Sequence, residues 1–219
     1  GTITLPTNLI SIGEAAFRNT KVTGPLTLND NLQTIGDYAF DGSTLSGTIT
    51  LPTNLISIGE AAFRDTQLSG TLTLNDNLER IGDYAFQNSQ VEAQLNTIPS
   101  KLTYFGKDAF KGTKTTQIPP LSSLQTIPDY FYAGKEISSL SFHNKLTSIG
   151  EYAFEKATLN GNKMVFPSSL SSIGIYAFSE ANFKGEIEFE ESSSLTEIKD
   201  GTFYKVPFTK FTFPDKLYY

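Results

Sequence analysis

GTITLPTNLISIGEAAFRDTQLS (residues 47–69) sets the organisation of the chain, because residues 1–18 spell the same letters as residues 47–64. The wider blocks 1–46 and 47–92 are nearly identical, so two units were copied together. Working outward from Phe63, a phenylalanine recurs at Phe17, Phe40, Phe86, Phe110, Phe131, Phe154, Phe178 and Phe203. The nine positions are separated by 23, 23, 23, 24, 21, 23, 24 and 25 residues. A second column travels with it. Leu9/Ile12, Leu32/Ile35, Leu55/Ile58, Leu78/Ile81, Leu102/Phe105, Leu124/Ile127, Leu146/Ile149, Leu170/Ile173 and Leu195/Ile198 keep one L-x-x-I (or F) spacing. A tenth unit opens at Phe211-Thr212-Phe213-Pro214. Self-similarity at a fixed period means stacked units that bury a shared core, each touching only its neighbours.

Each unit divides into three parts. Ile3-Thr4-Leu5, Leu26-Thr27-Leu28, Ile49-Thr50-Leu51 and Leu72-Thr73-Leu74 alternate apolar and polar, which predicts a strand with one buried face. Leu140-Ser141-Phe142, Met164-Val165-Phe166 and Ile187-Glu188-Phe189 are the later counterparts. Pro6, Pro52, Pro99, Pro167 and Pro214 follow and stop that strand. The L-x-x-I-G segment is then expected to turn, with Gly13, Gly36, Gly59, Gly82, Gly106, Gly150 and Gly174 at an unusual φ. Pro128 and Lys199 break that column. An acidic residue and Ala-Phe come next, as in Glu60-Ala61-Ala62-Phe63, and predict one short helical or 3-10 turn with negative charge at its positive end. Three residues after the Phe column sits a small side chain (Thr20, Ser43, Thr66, Ser89, Thr113, Gly134, Ala157, Ala181; Val206 is the exception), which predicts close packing on the next unit.

The motif L-x-L-P-x-x-L-x-x-I-G-x-x-A-F-x-x-(small) resembles the BspA-like leucine-rich repeats, also called the Treponema pallidum type, across essentially the whole chain. The family's small position is often Cys; here it is Thr, Ser or Ala, with no cysteine anywhere. The resemblance implies a strand-rich α/β solenoid: a right-handed, curved horseshoe with a parallel concave sheet and short turns or 3-10 helices on the convex side. Residues 1–219 are expected to form one such domain of nine full repeats and a partial tenth. The resemblance also implies a bacterial or protist surface or secreted protein with an adhesive role, although fold does not fix function.

Composition narrows the chemistry. The chain is 38% hydrophobic and 18% charged, enough for a folded core. With no Cys and a single His, thiolate chemistry is removed, and zinc and haem sites lose their usual ligands. A net charge of −6 with no basic cluster argues against nucleic acid. No apolar run approaches the ~18 residues of a membrane helix. None of the 13 asparagines begins an N-x-[S/T] sequon, which leans toward a bacterial source.

Four features bear on chemistry. His143 has no carboxylate or nucleophile repeating around it and reads as an exposed turn residue. Asn29-Asp30-Asn31 and Asn75-Asp76-Asn77 offer oxygens, but calcium needs six to eight, and Asn and Asp are ordinary turn formers. Glu186, Glu188, Glu190 and Glu191, with Glu197 and Asp200 nearby, read as solvated positions or as a surface for a cationic partner. Tyr38, Tyr84, Tyr152 and Tyr176 precede Ala-Phe and read as convex shingling, with a binding stripe as the alternative. Catalytic, metal and cofactor roles are assigned to no residue.

The strand positions pointing away from the core are the candidate partner-binding residues: Thr4, Thr27, Thr50, Thr73, Ser141, Val165, Glu188 and Thr212. Three readings follow. One is a non-catalytic adhesion or protein-binding module, extracellular or at the cell surface, for host matrix or a neighbouring cell. Another is a structural stalk whose binding function lies elsewhere; an enzyme with distributed carboxylates is the third and thinnest. Both ends cut into repeats, so signal and anchor are expected outside the segment, and uncapped ends are expected to self-associate end to end. Ile118-Pro119-Pro120, lacking two N–H donors, is expected to interrupt the sheet.

Overall fold

The computed structural model describes residues 1–95, 98–115, 122 and 124–214. Ile118-Pro119-Pro120 and the residues after Pro214 lie outside the described residues, and so do the expectations placed on them. The chain divides into two compact units, Gly1–Ile118 and Pro119–Tyr219. Each is a stack of coils joined by parallel strand pairs, with no α-helix among the described residues.

In the first unit the L-x-x-I-G segment is not a turn. Its last residues before glycine form β1 (Ser11–Ile12), β2 (Thr34–Ile35), β4 (Ser57–Ile58), β6 (Arg80–Ile81) and β8 (Tyr104–Phe105), one five-stranded parallel sheet. The register follows the repeat: Ile12 pairs Ile35, Ile35 pairs Ile58, and Ile58 pairs Ile81. Two residues are too few to display alternation, so the strand is created by exact repetition, which lays one ladder group over the next. Each Ile points inward and is buried.

A second sheet joins β3 (Ser46–Thr48), β5 (Gln67–Thr73) and β7 (Gln90–Gln94). The expected strand is displaced here. Ile3-Thr4-Leu5, Leu26-Thr27-Leu28 and Ile49-Thr50-Leu51 form no strand; pairing lies upstream, at Leu45-Ser46-Gly47-Thr48 and Leu68-Ser69-Gly70-Thr71. The alternation survives, with Ile49 and Leu51 buried and Thr50 exposed. Gly70 pairs Val91, two residues short of the repeat equivalent, and an even slip leaves every side chain on its own face.

The second unit repeats the scheme. β9 (Thr126–Ile127), β11 (Ser148–Ile149) and β14 (Ser172–Ile173) form one sheet, and β13 (Lys163–Phe166), β15 (Glu186–Phe189) and β16 (Lys210–Phe211) another. β10 (Glu136–Ile137) and β12 (Thr158–Leu159) make a two-stranded pair.

The Ala-Phe segments are hydrogen-bonded turns, not helices. In the second coil Tyr38, Phe40 and Gly42 donate their N–H groups to Glu60, Ala62 and Arg64 of the next coil at 2.7, 2.8 and 2.8 Å. The residues between, Ala39, Asp41 and Ser43, donate back three positions within the turn. A helix would send every N–H backward; this alternation requires left-handed residues two before and two after the Phe. Tyr38 has φ 56°, and Gly42 has φ 64°. A non-glycine residue there costs about 1–2 kcal/mol, which the inter-coil bond offsets. The acidic residues, with no helix to cap, act as staples instead. Asp37 and Asp129 accept the N–H of Glu60 and Glu151 through Oδ1 at 2.7 Å.

The glycine column also differs from expectation. The left-handed glycines are Gly24, Gly42, Gly47, Gly70, Gly112, Gly134, Gly161 and Gly201, none of them in that column. Glycine is needed there for space: a Cβ on Gly59 would stand 2.5 Å from Asp37 N and Gly36 C of the previous coil.

The Phe column is the core axis. Phe17, Phe40, Phe63, Phe86 and Phe110 stack with centroids 5.1, 5.4, 5.1 and 5.2 Å apart. In the second unit the stack runs Tyr132, Phe154, Phe178, Phe203. Tyr132, not Phe131, holds the column, since Tyr132 N–H donates to Ala153 as Phe40 N–H does to Ala62. Phe131 fills the alanine position, edge-on to Tyr132. The short 21-residue spacing thus becomes 22, and the small-residue position of this coil is the exposed Lys135, with Gly134 at the left-handed site. Elsewhere Ser43, Thr66, Ser89, Ala157 and Ala181 are buried, as the close-packing expectation requires.

Candidate functional site

Outward-facing strand positions are fixed by the apolar positions between them, because successive strand residues face opposite sides. In β13 and β15, Met164, Phe166 and Ile187 are buried, which turns Val165 and Glu188 outward. Ser141 bridges Val165, Val165 pairs Glu188, and Thr212 donates its N–H to Ile187 O at 2.9 Å. Four of the predicted residues, Ser141, Val165, Glu188 and Thr212, therefore form one row across four coils. Val165 is 37% exposed in mid-strand, a large apolar side chain among polar neighbours.

A second outward row runs beside it: Lys163 pairs Glu186, which pairs Lys210. The sequence reading missed these lysines. Lys163 Nζ lies 2.8 Å from Glu188 Oε2, and Lys210 Nζ lies 3.7 Å from Glu186 and 4.0 Å from Glu188. The Lys163 ammonium, hydrogen-bonded to it, holds the Glu188 carboxyl below its ordinary value, and Lys163 is raised in turn. Glu190 accepts the N–H of Ser168 at 2.9 Å. The acidic run is thus largely engaged within its own sheet, as the period-two alignment of Lys163 with Glu186 would have suggested.

In the first unit Thr4, Thr27, Thr50 and Thr73 are all exposed, but only Thr73 lies in a strand, opposite Gln94. The paired outward rows are Ser46–Gln67, Thr48–Ser69–Gln90 and Thr71–Glu92. Extending the alternation upstream through Gly47 and Gly70 would have found them. The five-stranded sheet adds a row that the sequence reading did not place in a sheet: Ser11, Thr34, Ser57, Arg80 and Tyr104. At its end the Arg80 guanidinium lies 3.8 Å over the Tyr104 ring, and Tyr104 Oη donates to Asp83 Oδ1 at 2.6 Å. Burial first, then that bond, pushes the Tyr104 phenol well above its ordinary range.

The remaining features resolve into structure. Asn29 and Asn31 donate to Pro6 O and Thr7 O at 3.0 and 3.1 Å, and Asn75 and Asn77 repeat this one block later. These amides are spent on the previous coil. The half-buried His143 accepts the N–H of Lys145 through Nδ1 at 2.9 Å in an exposed turn. Tyr130, Tyr152 and Tyr176 stack at 5.0 and 5.4 Å. Tyr38 donates to Glu60 and lies under Arg18, whose guanidinium reaches the buried Asp41 at 2.9 Å; Arg64 meets the same carboxylate at 2.8 Å. Among the described residues no group of three or more His, Cys, Asp or Glu could hold a metal, and no helix is long and apolar enough to cross a membrane.

Comparison with curated proteins finds no match. Among solved structures, a leucine-rich repeat protein from Eubacterium ventriosum is 19% identical with a TM-score of 0.52, over 95% of this chain and 65% of that one. A leucine-rich repeat protein from Bacteroides ovatus is 19% identical with a TM-score of 0.39, over 98% and 67%. The chain thus spans 65% of the length of the first, and the likeness is one of fold. The family model for the BspA type leucine rich repeat region, built of six copies, matches residues 1–117, 70–182 and 103–219. With its motif, stacked coils and parallel sheets accounted for, the chain belongs to the BspA-type leucine-rich repeat family.

Proposed function

We propose that this chain is a non-catalytic protein-binding module of a bacterial cell-surface or secreted protein, adhering to host matrix or to a neighbouring cell. The reading takes residues 1–219 as one repeat domain, its coils wound right-handed into a horseshoe with the sheet on the concave side. It places the contact on Thr4, Thr27, Thr50, Thr73, Ser141, Val165, Glu188 and Thr212. The observation that carries it is the row Ser141–Val165–Glu188–Thr212, an outward sheet line with an exposed valine at its middle. A partly exposed apolar anchor within a polar rim is what a protein interface uses for affinity. Repeat solenoids offer such extended surfaces at little structural cost.

The stalk reading has its own observation in favour. Lys163, Glu186, Glu188 and Lys210 already satisfy one another, as a surface facing only water would. One experiment separates the two. Wild-type protein and the Val165→Asp and Thr73→Lys variants are tested for binding to matrix-protein-coated surfaces and to intact bacterial cells. Binding by the wild type, weakened about tenfold by a substitution, corresponds to about 1.4 kcal/mol and supports the module. Retained binding in both variants, and in a chain substituted at all eight positions, overturns the placement, and no binding by the wild type favours the stalk.

A further inference from the structure

Asparagine is chemically stable in a folded chain when the backbone nitrogen after it cannot attack its side-chain carbonyl. Most described asparagines are shielded in that way. The following N–H is engaged at Leu9 (to Pro6 O, 3.2 Å), Leu55 (to Pro52 O, 3.1 Å), Ser89 (to Phe86 O, 3.0 Å) and Lys145 (to His143 Nδ1, 2.9 Å). Asn29 and Asn75 are instead locked through the amide itself. Each donates Nδ2 to a carbonyl at 3.0 Å and accepts an N–H two residues on at 2.9 Å.

Asn160 departs from this pattern on every count. It is followed by Gly161, which has no Cβ to crowd an approach and sits at φ 155°. Asn160, Gly161 and Asn162 are all exposed, in the bend between β12 and β13. Among the described residues the Gly161 N–H makes no hydrogen bond. The side chain has one tether: Nδ2 donates to Glu136 Oε1 at 2.9 Å, at an exposed site. The Asp41-Gly42 pair shows the contrast, since Gly42 N–H is bonded to Arg64 O at 2.8 Å and the Asp41 carboxylate is held by two arginines.

We infer that Asn160-Gly161 is a site of spontaneous deamidation, and that the reaction turns the Asn160–Glu136 hydrogen bond into a like-charge contact between adjacent coils. Gly161 N loses its proton to solvent and attacks Asn160 Cγ; the bond from Cγ to Nδ2 breaks, and ammonia leaves. Water then opens the five-membered imide at either carbonyl, leaving aspartate or isoaspartate at position 160. The new carboxylate faces Glu136 where the amide had donated. The change falls on β10–β12, a pair of only two residues per strand. Asn160 N–H donates to Ile137 O at 2.9 Å within the same joint, so opening there unpins the bend as well. A neutral donor becomes a repelling acceptor.

The test ages the purified full chain in mildly alkaline buffer, folded and in urea, and follows tryptic peptide 157–163, which holds Asn160 and Asn162 together. The expected result in the folded chain is ammonia release with a mass gain of about 1 Da, amide exchanged for acid, confined to Asn160. In urea the other asparagines should join. An Asn160 that stays intact in the folded chain, or conversion spread evenly over the asparagines there, overturns the site. Hydrogen exchange tests the consequence: Asn160→Asp should speed exchange at Thr158 and at position 160, whose N–H groups cross to Lys135 O and Ile137 O, and Asn160→Gln, still neutral, should not. Equal exchange in the two variants overturns the coupling to Glu136.

Discussion

In the purified segment 1–219, a methyl group added at Gly59 should cost far more stability than one added at Gly13, although the two glycines stand in identical sequence. An alanine Cβ at Gly59 would lie 2.5 Å from Asp37 N, Asp37 Oδ1 and Gly36 C. That is about 1 Å inside ordinary carbon contact, and two of the three atoms are backbone. The coil cannot yield easily, because Gly59 N–H is bonded to Ile35 O at 2.8 Å and Glu60 N–H to Asp37 Oδ1 at 2.7 Å. Overpacking against fixed backbone costs about 3 kcal/mol or more. In a unit of this size that lowers Tm by roughly 10 °C. At Gly13 nothing lies within 4 Å, and its φ is outside the left-handed region. Gly13→Ala should therefore stabilise by about 0.5 kcal/mol, through the unfolded chain alone. Calorimetry and urea titration of the two variants decide it. If both lose stability equally, the glycine column serves backbone conformation and the steric account is wrong.

Phe63→Ala, removing a fully buried ring between Phe40 and Phe86, should cost about 3–5 kcal/mol, and Phe17→Ala clearly less because that ring is half-buried at the end of its stack; urea melts compare them. Asp41→Ala leaves Arg18 and Arg64 without their shared carboxylate and should cost about 1–3 kcal/mol, whereas Asp76→Ala, in an exposed turn, should cost little. Because the Glu188 carboxyl is depressed by Lys163, its contribution is present above the ordinary carboxylate value and is lost as pH falls through the lowered folded value. An NMR titration should see Glu188 return upward in Lys163→Ala; an unmoved titration would break the assignment. Tyr104, raised by burial, should stay protonated where free tyrosine ionises, which ultraviolet titration of wild type against Tyr104→Phe would show.

Much was written in the sequence. The period, the inward Leu and Ile columns, the Phe axis and the outward direction of Ser141, Val165, Glu188 and Thr212 all follow from repetition and alternation, which are one-dimensional properties. What tertiary structure alone decided is how one coil meets the next. The Ser57–Ile58 strand exists only because Thr34–Ile35 and Arg80–Ile81 lie alongside it, and two residues by themselves carry no strand signal. Tyr38 takes a left-handed conformation against its own preference because its N–H then reaches Glu60 O in the neighbouring coil. Tyr132 displaces Phe131 from the core column through a register that hydrogen bonds choose and spacing cannot. Gly134 and Gly59 are the same letter, yet a Cβ on Gly134 would meet nothing within 4 Å while one on Gly59 would strike the coil before it, and that contact belongs to the stack.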